Sequence, residues 1–322
     1  MLEGSRPSAT ALSTPRRSPG VPHTPPFTPD PDLFPFRSRW LDSEKGGRVH
    51  YVDEGEGAPI LLLHGNPTWS FLYRGMIIRL RKRFRCIALD YPGFGLSEHP
   101  EGYGYAPQEH ADVVLELVRF LDLKGLTIVG HDWGGPIGLR TALDEKARVR
   151  SLVMGNTWYW PVDTWHMKAF AYVTASEPGQ GMILKRNAFV ERVIPWGCKH
   201  DLAPEVMDHY REPFPTPDSR EPVAALTRQV SGASFWLEEL AYAVPRLLRD
   251  VPLLLAWGAH DLAFPPRFMD RWREDFRRVT TRRLDAKHFF PEDAPAEASQ
   301  TIQDFLDERE AEEIEARAEA TV

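Results

Sequence analysis

The run Gly130-His131-Asp132-Trp133-Gly134-Gly135 stands between an apolar stretch, Leu126 to Val129, and a helix-spaced segment from Gly134 to about Glu145. Strand, sharp turn and helix in that order put Asp132 on a crowded, strained backbone, and only neighbours without a Cβ relieve the crowding. The same strand-to-helix order recurs along the chain. Ile60 to Leu63 is apolar and ends in His64-Gly65. Ser70 is a candidate cap for the helix after it, where Phe71, Leu72, Met76, Ile77 and Leu80 keep helical spacing. Cys86 to Leu89 closes in the turn Asp90-Tyr91-Pro92-Gly93. Pro107 then opens a helix with Ala111, Val114, Leu115, Val118 and Leu121 on one face. Arg48 to Val52, Leu152 to Met154, Leu253 to Trp257 and Thr281 to Leu284 are further strand candidates, and Pro265 to about Phe276 a further helix. Such alternation predicts an α/β fold with a mostly parallel central sheet covered by helices on both faces.

A chain of 322 residues has room for one large domain or two smaller ones. Residues 1 to 35, rich in Pro, Ser and Thr, bury too little surface to offset the entropy of ordering them and read as a disordered arm. Its PxxP-like pieces would also suit an aromatic groove, the less economical reading. The alternation breaks between about Asn156 and Gln229, where aromatics and prolines replace strands. This divides the chain into an α/β core (36–155 and 230–306), a helical cap (156–229) and an acidic tail (307–322), either a solvated helix extension or disordered. The tail alone supplies -5 of the formal net charge of -7, so the body has no basic surplus for nucleic acid. An aromatic share of 11%, with 10 Trp, excludes a disordered or fibrous chain and points to an aromatic pocket. The 2 cysteines, Cys86 and Cys198, are too few for a disulfide scaffold and read as buried fillers of a cytoplasmic protein. No apolar run approaches the ~18 residues of a membrane span.

Asp132 occupies the nucleophile position of a glycine-flanked elbow that more often carries serine. Capping the next helix is the plainer reading of an Asp after a strand. A carboxylate, with an ordinary pKa near ~3.9, is already ionised at neutral pH and attacks an sp3 carbon bearing a leaving group. The product is an ester, so the base is needed for water. His288, in Asp285-Ala286-Lys287-His288-Phe289-Phe290, is the candidate base, and Asp261, just after Leu253 to Trp257, its acid partner. Each alone reads as a surface histidine or a turn. The order nucleophile, acid, histidine makes coincidence a poor explanation.

From about Phe36 to Leu306 the chain resembles the haloalkane dehalogenases of the α/β-hydrolase fold. The resemblance is carried by His64-Gly65-Asn66-Pro67-Thr68-Trp69-Ser70-Phe71-Leu72-Tyr73-Arg74, Ser38-Arg39-Trp40-Leu41, Val49-His50-Tyr51-Val52-Asp53-Glu54-Gly55 and the Gly-His-Asp-Trp-Gly-Gly elbow. It implies that the Asn66 amide and the Trp133 indole N–H hold a departing halide, and that the backbone N–H groups of Asn66 and Trp133 form an oxyanion hole. A halide leaves without a proton, so two neutral donors suffice. Asn156 stands where some members carry a glutamate acid, which leaves that role to Asp261. An Asp-His-Asp triad with an Asn/Trp halide pair is similar to the family's third subgroup, whose members tend to associate, so the resemblance admits a homo-oligomer.

The expected chemistry is hydrolysis of a small halogenated alkane by water to alcohol and halide, without cofactor or metal, and without nucleic-acid or membrane partners. Epoxide hydrolysis shares the nucleophile but needs proton donors for the alkoxide, for which Tyr159, Tyr172 and Tyr210 are the candidates. A ligand-binding protein without catalysis has no need of the complete triad. Asp90 is assigned a structural turn role.

Overall fold

The computed structural model describes residues 24–319; most of the Pro/Ser/Thr-rich arm (1–23) and the last three residues lie outside them. Among the described residues, eight strands form one sheet: β1 (Arg39–Ser43), β2 (Gly47–Glu54), β3 (Pro59–Leu63), β4 (Arg85–Leu89), β5 (Leu126–His131), β6 (Val149–Gly155), β7 (Leu253–Gly258) and β8 (Val279–Leu284). Their order is β1-β2-β4-β3-β5-β6-β7-β8. Strand β2 runs antiparallel to both its neighbours, and β3 to β8 pair in parallel. Strands β5 and β7 are buried along their whole length, which explains their largely apolar composition. At the edge, β8 exposes Arg282 and Arg283, charges that discourage pairing with another chain.

The crossovers carry α1 (Arg74–Leu80), α2 (Pro107–Phe120) and α3 (Gly134–Asp144). Between β6 and β7 the chain makes α4 (Trp165–Ala175), α5 (Glu177–Arg186), a π turn (Phe189–Val193), α6 (Ile194–Gly197), α7 (Pro204–Arg211), α8 (Glu221–Gly232) and α9 (Ser234–Leu247). The C-terminal part adds α10 (Phe268–Asp275), α11 (Phe290–Asp293) and α12 (Pro295–Glu319). Helix α12 buries Ala298, Ile302, Phe305 and Leu306 and then continues from Asp307 as an exposed acidic extension, its Asp307 and Glu313 paired with Arg83 and Arg150. None of these helices is long and apolar enough to cross a membrane.

Four local expectations change. Strand β1 escaped notice because its five residues alternate exposed and buried, as an edge strand does. Ser70 does not cap a helix: it opens a 3-10 turn, its N–H donating to Asp90 Oδ1 at 2.8 Å, while its hydroxyl has no partner among the described residues. Helix α10 starts at Phe268, three residues later than Pro265 suggested. The stretch from residue 24 to 35 is not a disordered arm. Phe27 meets Trp69 edge-on at 5.5 Å, Phe34 is buried against Trp69 at 5.1 Å, and the Asp30 N–H donates to His209 Nε2 at 3.0 Å. Average composition concealed the two phenylalanines that anchor this stretch.

Asp90 is a structural node. Its carboxylate, fully buried, takes hydrogen bonds from His50 Nδ1 (2.8 Å), Ser70 N (2.8 Å) and Leu96 N (3.0 Å). Burial acts to raise its pKa, but His50 and these donors outweigh it and hold the carboxyl below its ordinary range.

His64, just after β3, and His110, on α2, are enclosed in neutral form. His64 donates from Nδ1 to Gly65 O at 2.9 Å and accepts at Nε2 from the Tyr91 N–H at 3.1 Å, a pairing available only to the neutral ring. Burial pushes its pKa down to about 4 and that of His110 to about 3. Both lie below the unfolded value of ~6.5, so their contribution to stability is complete above that pH and is lost as pH falls, when the unfolded chain takes up protons that the fold cannot. The two together should remove roughly 3 kcal/mol per pH unit between about pH 6 and pH 4. Urea midpoints at pH 7.5 and pH 5 test this, and equal midpoints would refute it.

Candidate active site

The carboxyl ends of β3, β5, β6, β7 and β8 converge, so the loops leaving them share one edge of the sheet. Asp132, one residue past β5, has φ +50°, a left-handed conformation that a non-glycine residue adopts only under constraint. The constraint is visible on both sides: a Cβ on Gly134 would strike the Leu63 carbonyl, and one on Gly130 would meet Gly134 O at 2.7 Å. The Asp132 side chain does not cap α3, whose start has no side-chain cap. It turns toward the β3 loop instead, where Oδ1 accepts the Asn66 N–H at 2.8 Å, with a further hydrogen bond from the Trp133 N–H.

The three residues expected to act together are brought together. His288 Nδ1 lies 2.9 Å from Asp261 Oδ2, and its Nε2 lies 3.9 Å from Asp132 Oδ2. Asp261 sits in a cage of donors, its Oδ1 taking the Ala263 N–H at 2.7 Å and its Oδ2 the Asn156 amide at 2.7 Å. Asn156 in turn accepts the Gly258 N–H at 2.8 Å through Oδ1 and the Asp132 N–H at 3.2 Å through its carbonyl. Asn156, excluded as the acid, therefore ties Asp132 and Asp261 to one frame. Sequence reasoning missed this, although the signal was present: β6 lies between β5 and β7, so the residue following it falls between the two loops. His131, also unassigned before, donates from Nε2 to the His288 carbonyl at 2.9 Å, and burial holds its pKa well below the ordinary histidine value.

Burial raises the Asp132 carboxyl above its ordinary range, against the opposing pull of His288 and the N–H groups of Asn66 and Trp133. For Asp261 burial also acts upward, but the His288 charge and the hydrogen bonds from His288 and Asn156 prevail and lower it. Burial acts downward on His288, where the Asp261 charge and hydrogen bond and the Asp132 charge prevail and leave the imidazole above its ordinary value.

Asp132 and His288 form the floor of a cavity of about 390 Å³ that Asn66 and Trp133 also line. The Asn66 amide donates to Val223 O on α8 at 3.1 Å, while its Oδ1 has no partner among the described residues. Trp133 stands edge-on to Trp158 at 4.8 Å, and Trp158 stacks on Phe264 at 5.0 Å. The aromatics between Trp158 and Tyr172, expected to face core or pocket, take three routes. Trp158 and Phe170 line the cavity, Tyr159 and Trp160 pack on Trp272, and Trp165 and Tyr172 point to solvent. None of the three tyrosines proposed as proton donors lines the cavity: Tyr159 donates to Asp275, Tyr210 to Glu292 at 2.6 Å, and Tyr172 is exposed.

Residues 58–178 match the family model of the alpha/beta hydrolase fold. Haloalkane dehalogenase 2 of Mycobacterium tuberculosis (strain ATCC 25618 / H37Rv) is 52% identical over 271 residues, 84% of this chain and 94% of that one. A cis-3-alkyl-4-alkyloxetan-2-one decarboxylase of Shewanella oneidensis is 31% identical, over 86% of this chain and 91% of its own. Among solved structures, the haloalkane dehalogenase DbeA from Bradyrhizobium elkani USDA94 superposes with a TM-score of 0.77 at 27% identity, covering 86% of this chain and 98% of that chain.

The geometry makes His288 dependent on its acid. In the free protein its imidazole should titrate above ~6.5 by nitrogen-detected NMR, and Asp261→Asn should bring it below that value, because burial then acts with less opposition. An unchanged titration in the variant would show that Asp261 does not govern His288.

Proposed function

Because the chain belongs to the haloalkane dehalogenases of the α/β-hydrolase fold, we propose that Asp132, His288 and Asp261 hydrolyse carbon–halogen bonds with Asn66 and Trp133 as the halide pair. The observation that carries this reading is the different surroundings of the two Asp132 oxygens. Oδ1 is engaged by the Asn66 N–H, while Oδ2 faces His288 Nε2 across 3.9 Å at the floor of an apolar cavity. Oδ2 is the attacking atom. As its bond to carbon forms, the carbon–halogen bond breaks, and the halide leaves as an anion toward the second N–H of the Asn66 amide and the Trp133 indole. The Asn66 amide is aimed by its other N–H, held by Val223 O.

Hydrolysis of the ester uses the other half of the site. His288 Nε2 takes a proton from water, and the oxygen attacks the Asp132 carboxyl carbon. The negative charge that develops on Oδ1 already lies against the Asn66 N–H, and the Trp133 N–H also donates to this carboxylate. Alcohol leaves, Asp132 is restored, and the net products are alcohol, halide and a proton. Asp261 orients the ring and stabilises its cationic form. Asn156, an amide, lets Asp261 serve as the sole acid partner and supports assignment to the subgroup with an Asp-His-Asp triad and an Asn/Trp pair. Helices α4 to α8 act as the cap, the last of them ending at Gly232.

Epoxide hydrolysis is disfavoured because no tyrosine lines the cavity among the described residues. A binding protein would leave the ordered His288–Asp261 pair unexplained. Incubating His288→Phe with 1-bromoalkanes, epoxides and a cis-3,4-dialkyl oxetanone, followed by intact mass and peptide mapping, tests the reading. An alkyl adduct on Asp132 with one halide released per site is expected; adducts from epoxides or oxetanone alone, or from none, would overturn it. In the unmodified protein, removing one halide donor (Asn66→Ala or Trp133→Phe) should lower kcat by roughly 10²–10³-fold, as the loss of one aimed donor does elsewhere. Ester hydrolysis should also fail as pH drops through the His288 pKa. That midpoint should lie below the one seen in the free enzyme, since alkylation removes the Asp132 charge that helps raise it. Single-turnover rates against pH measure it.

A further inference from the structure

The cavity above Asp132 is large for the reaction it serves. A dry apolar cavity of ~150 Å³ is enough for benzene, or about 25 Å³ per carbon. On that scale about 390 Å³ accommodates roughly fifteen non-hydrogen atoms, whereas a dihalogenated ethane has only four. A two-carbon substrate would leave most of the cavity filled with water against apolar walls.

The walls specify the chemistry of the remaining space. Met167 and Phe170 from α4, Phe189 and Val193 from the π turn, Val230 from α8 and Phe264 from the β7 loop are all apolar. Two polar side chains interrupt them, and both are already engaged. The Thr227 hydroxyl donates to Ala224 O at 2.7 Å and accepts from Gln180 at 3.0 Å, while His166 Nε2 donates to Ala263 O at 3.3 Å. Neither Lys nor Arg lines the cavity among the described residues. The rim continues the same character outward: Phe170 is 42%, Trp196 51% and Leu262 70% exposed. An apolar path therefore runs from solvent to the nucleophile, with no cation along it to neutralise a charged tail.

We propose that the substrates of this site are halides with an uncharged, unfunctionalised hydrocarbon tail of roughly eight to twelve carbons, the halogen between Asn66 and Trp133 and the tail along the wall toward Trp196 and Leu262. The inference rests on the dehalogenase reading and adds the tail to it. Each methylene moved from water into such a wall is worth about fourfold in kcat/KM, and the gain stops where the tail reaches the rim. A terminal carboxylate would enter the cavity without a partner and lose at least about a hundredfold.

The test is halide release by the full chain from 1-bromoalkanes of two to ten carbons, with 8-bromooctanoate beside 1-bromooctane. The expected result is kcat/KM rising about twofold to fourfold per methylene up to eight carbons or more, with the carboxylate at least a hundredfold below the bromide of equal length. Val193→Trp and, independently, Val230→Phe fill wall space and should move the optimum to shorter chains by two carbons or more. Turnover that is fastest at two or three carbons, or indifferent to chain length or to the terminal charge, would overturn the proposal while leaving the dehalogenase reading intact. Absence of halide release from every member would overturn both.

Discussion

The contact on which the rest of this structure depends is the approach of the β3 loop to the end of β5, where the Asn66 N–H reaches Asp132 Oδ1 at 2.8 Å. It requires parallel neighbours with register Leu62↔Val129 and Leu63↔Gly130, so that both loops leave the sheet at the same level. It also requires a helix packed so closely that Gly134 has no room for a Cβ. Asp132 is held at positive φ by this packing, and its carboxylate is presented at the top of the turn rather than folded back as a helix cap. The strain is local, and β3, buried from Ile60 onward, with the fully buried β5 and β7 supplies the stability that maintains it.

Around that contact the electrostatics drive two carboxylates in opposite directions. Both are buried, and burial raises both, but only Asp261 gains enough from its partners to end below its ordinary range. The difference lies in the number and kind of donors. Asp261 has a direct hydrogen bond from His288, an amide from Asn156 and a backbone N–H, whereas Asp132 Oδ2 keeps 3.9 Å from the imidazole. A neutral Asn156 matters here, since a third carboxylate among these groups would add repulsion in a region with little water to screen it. His131 completes the arrangement from behind by holding the backbone of His288.

The helical segment over the site is tied to the core at several points, to the β3 loop and to α11 just after His288. Val223 on α8 takes the Asn66 amide, Trp69 donates to His209 O at 2.9 Å, and Tyr210 reaches Glu292 on α11. The stretch beginning at residue 24 joins this network, with Phe27 on Trp69 and the Asp30 N–H on His209. This helical segment and the cavity floor are thus positioned relative to one another by hydrogen bonds as well as by apolar packing, and the orientation of the Asn66 amide is decided partly by α8.

Much of this was legible in the residues alone. Apolar runs alternating with helical spacings located seven of the eight strands, most plainly β3 to β7, because buried parallel strands are largely apolar. The glycines flanking Asp132 announced a crowded turn, because crowding of that kind excludes side chains. The order of Asp132, Asp261 and His288 at strand ends marked the groups that the fold would gather. What only the tertiary structure decided is which way side chains point once the loops are assembled. Asn156 became the support of Asp261, Tyr159 and Tyr210 turned to carboxylates outside the cavity, and residues 24 to 35 found a binding surface that their composition did not foretell. The reason is physical: periodicity records whether a position is buried, a one-dimensional property, whereas a hydrogen-bond partner some hundred residues away is chosen by the three-dimensional order of the strands.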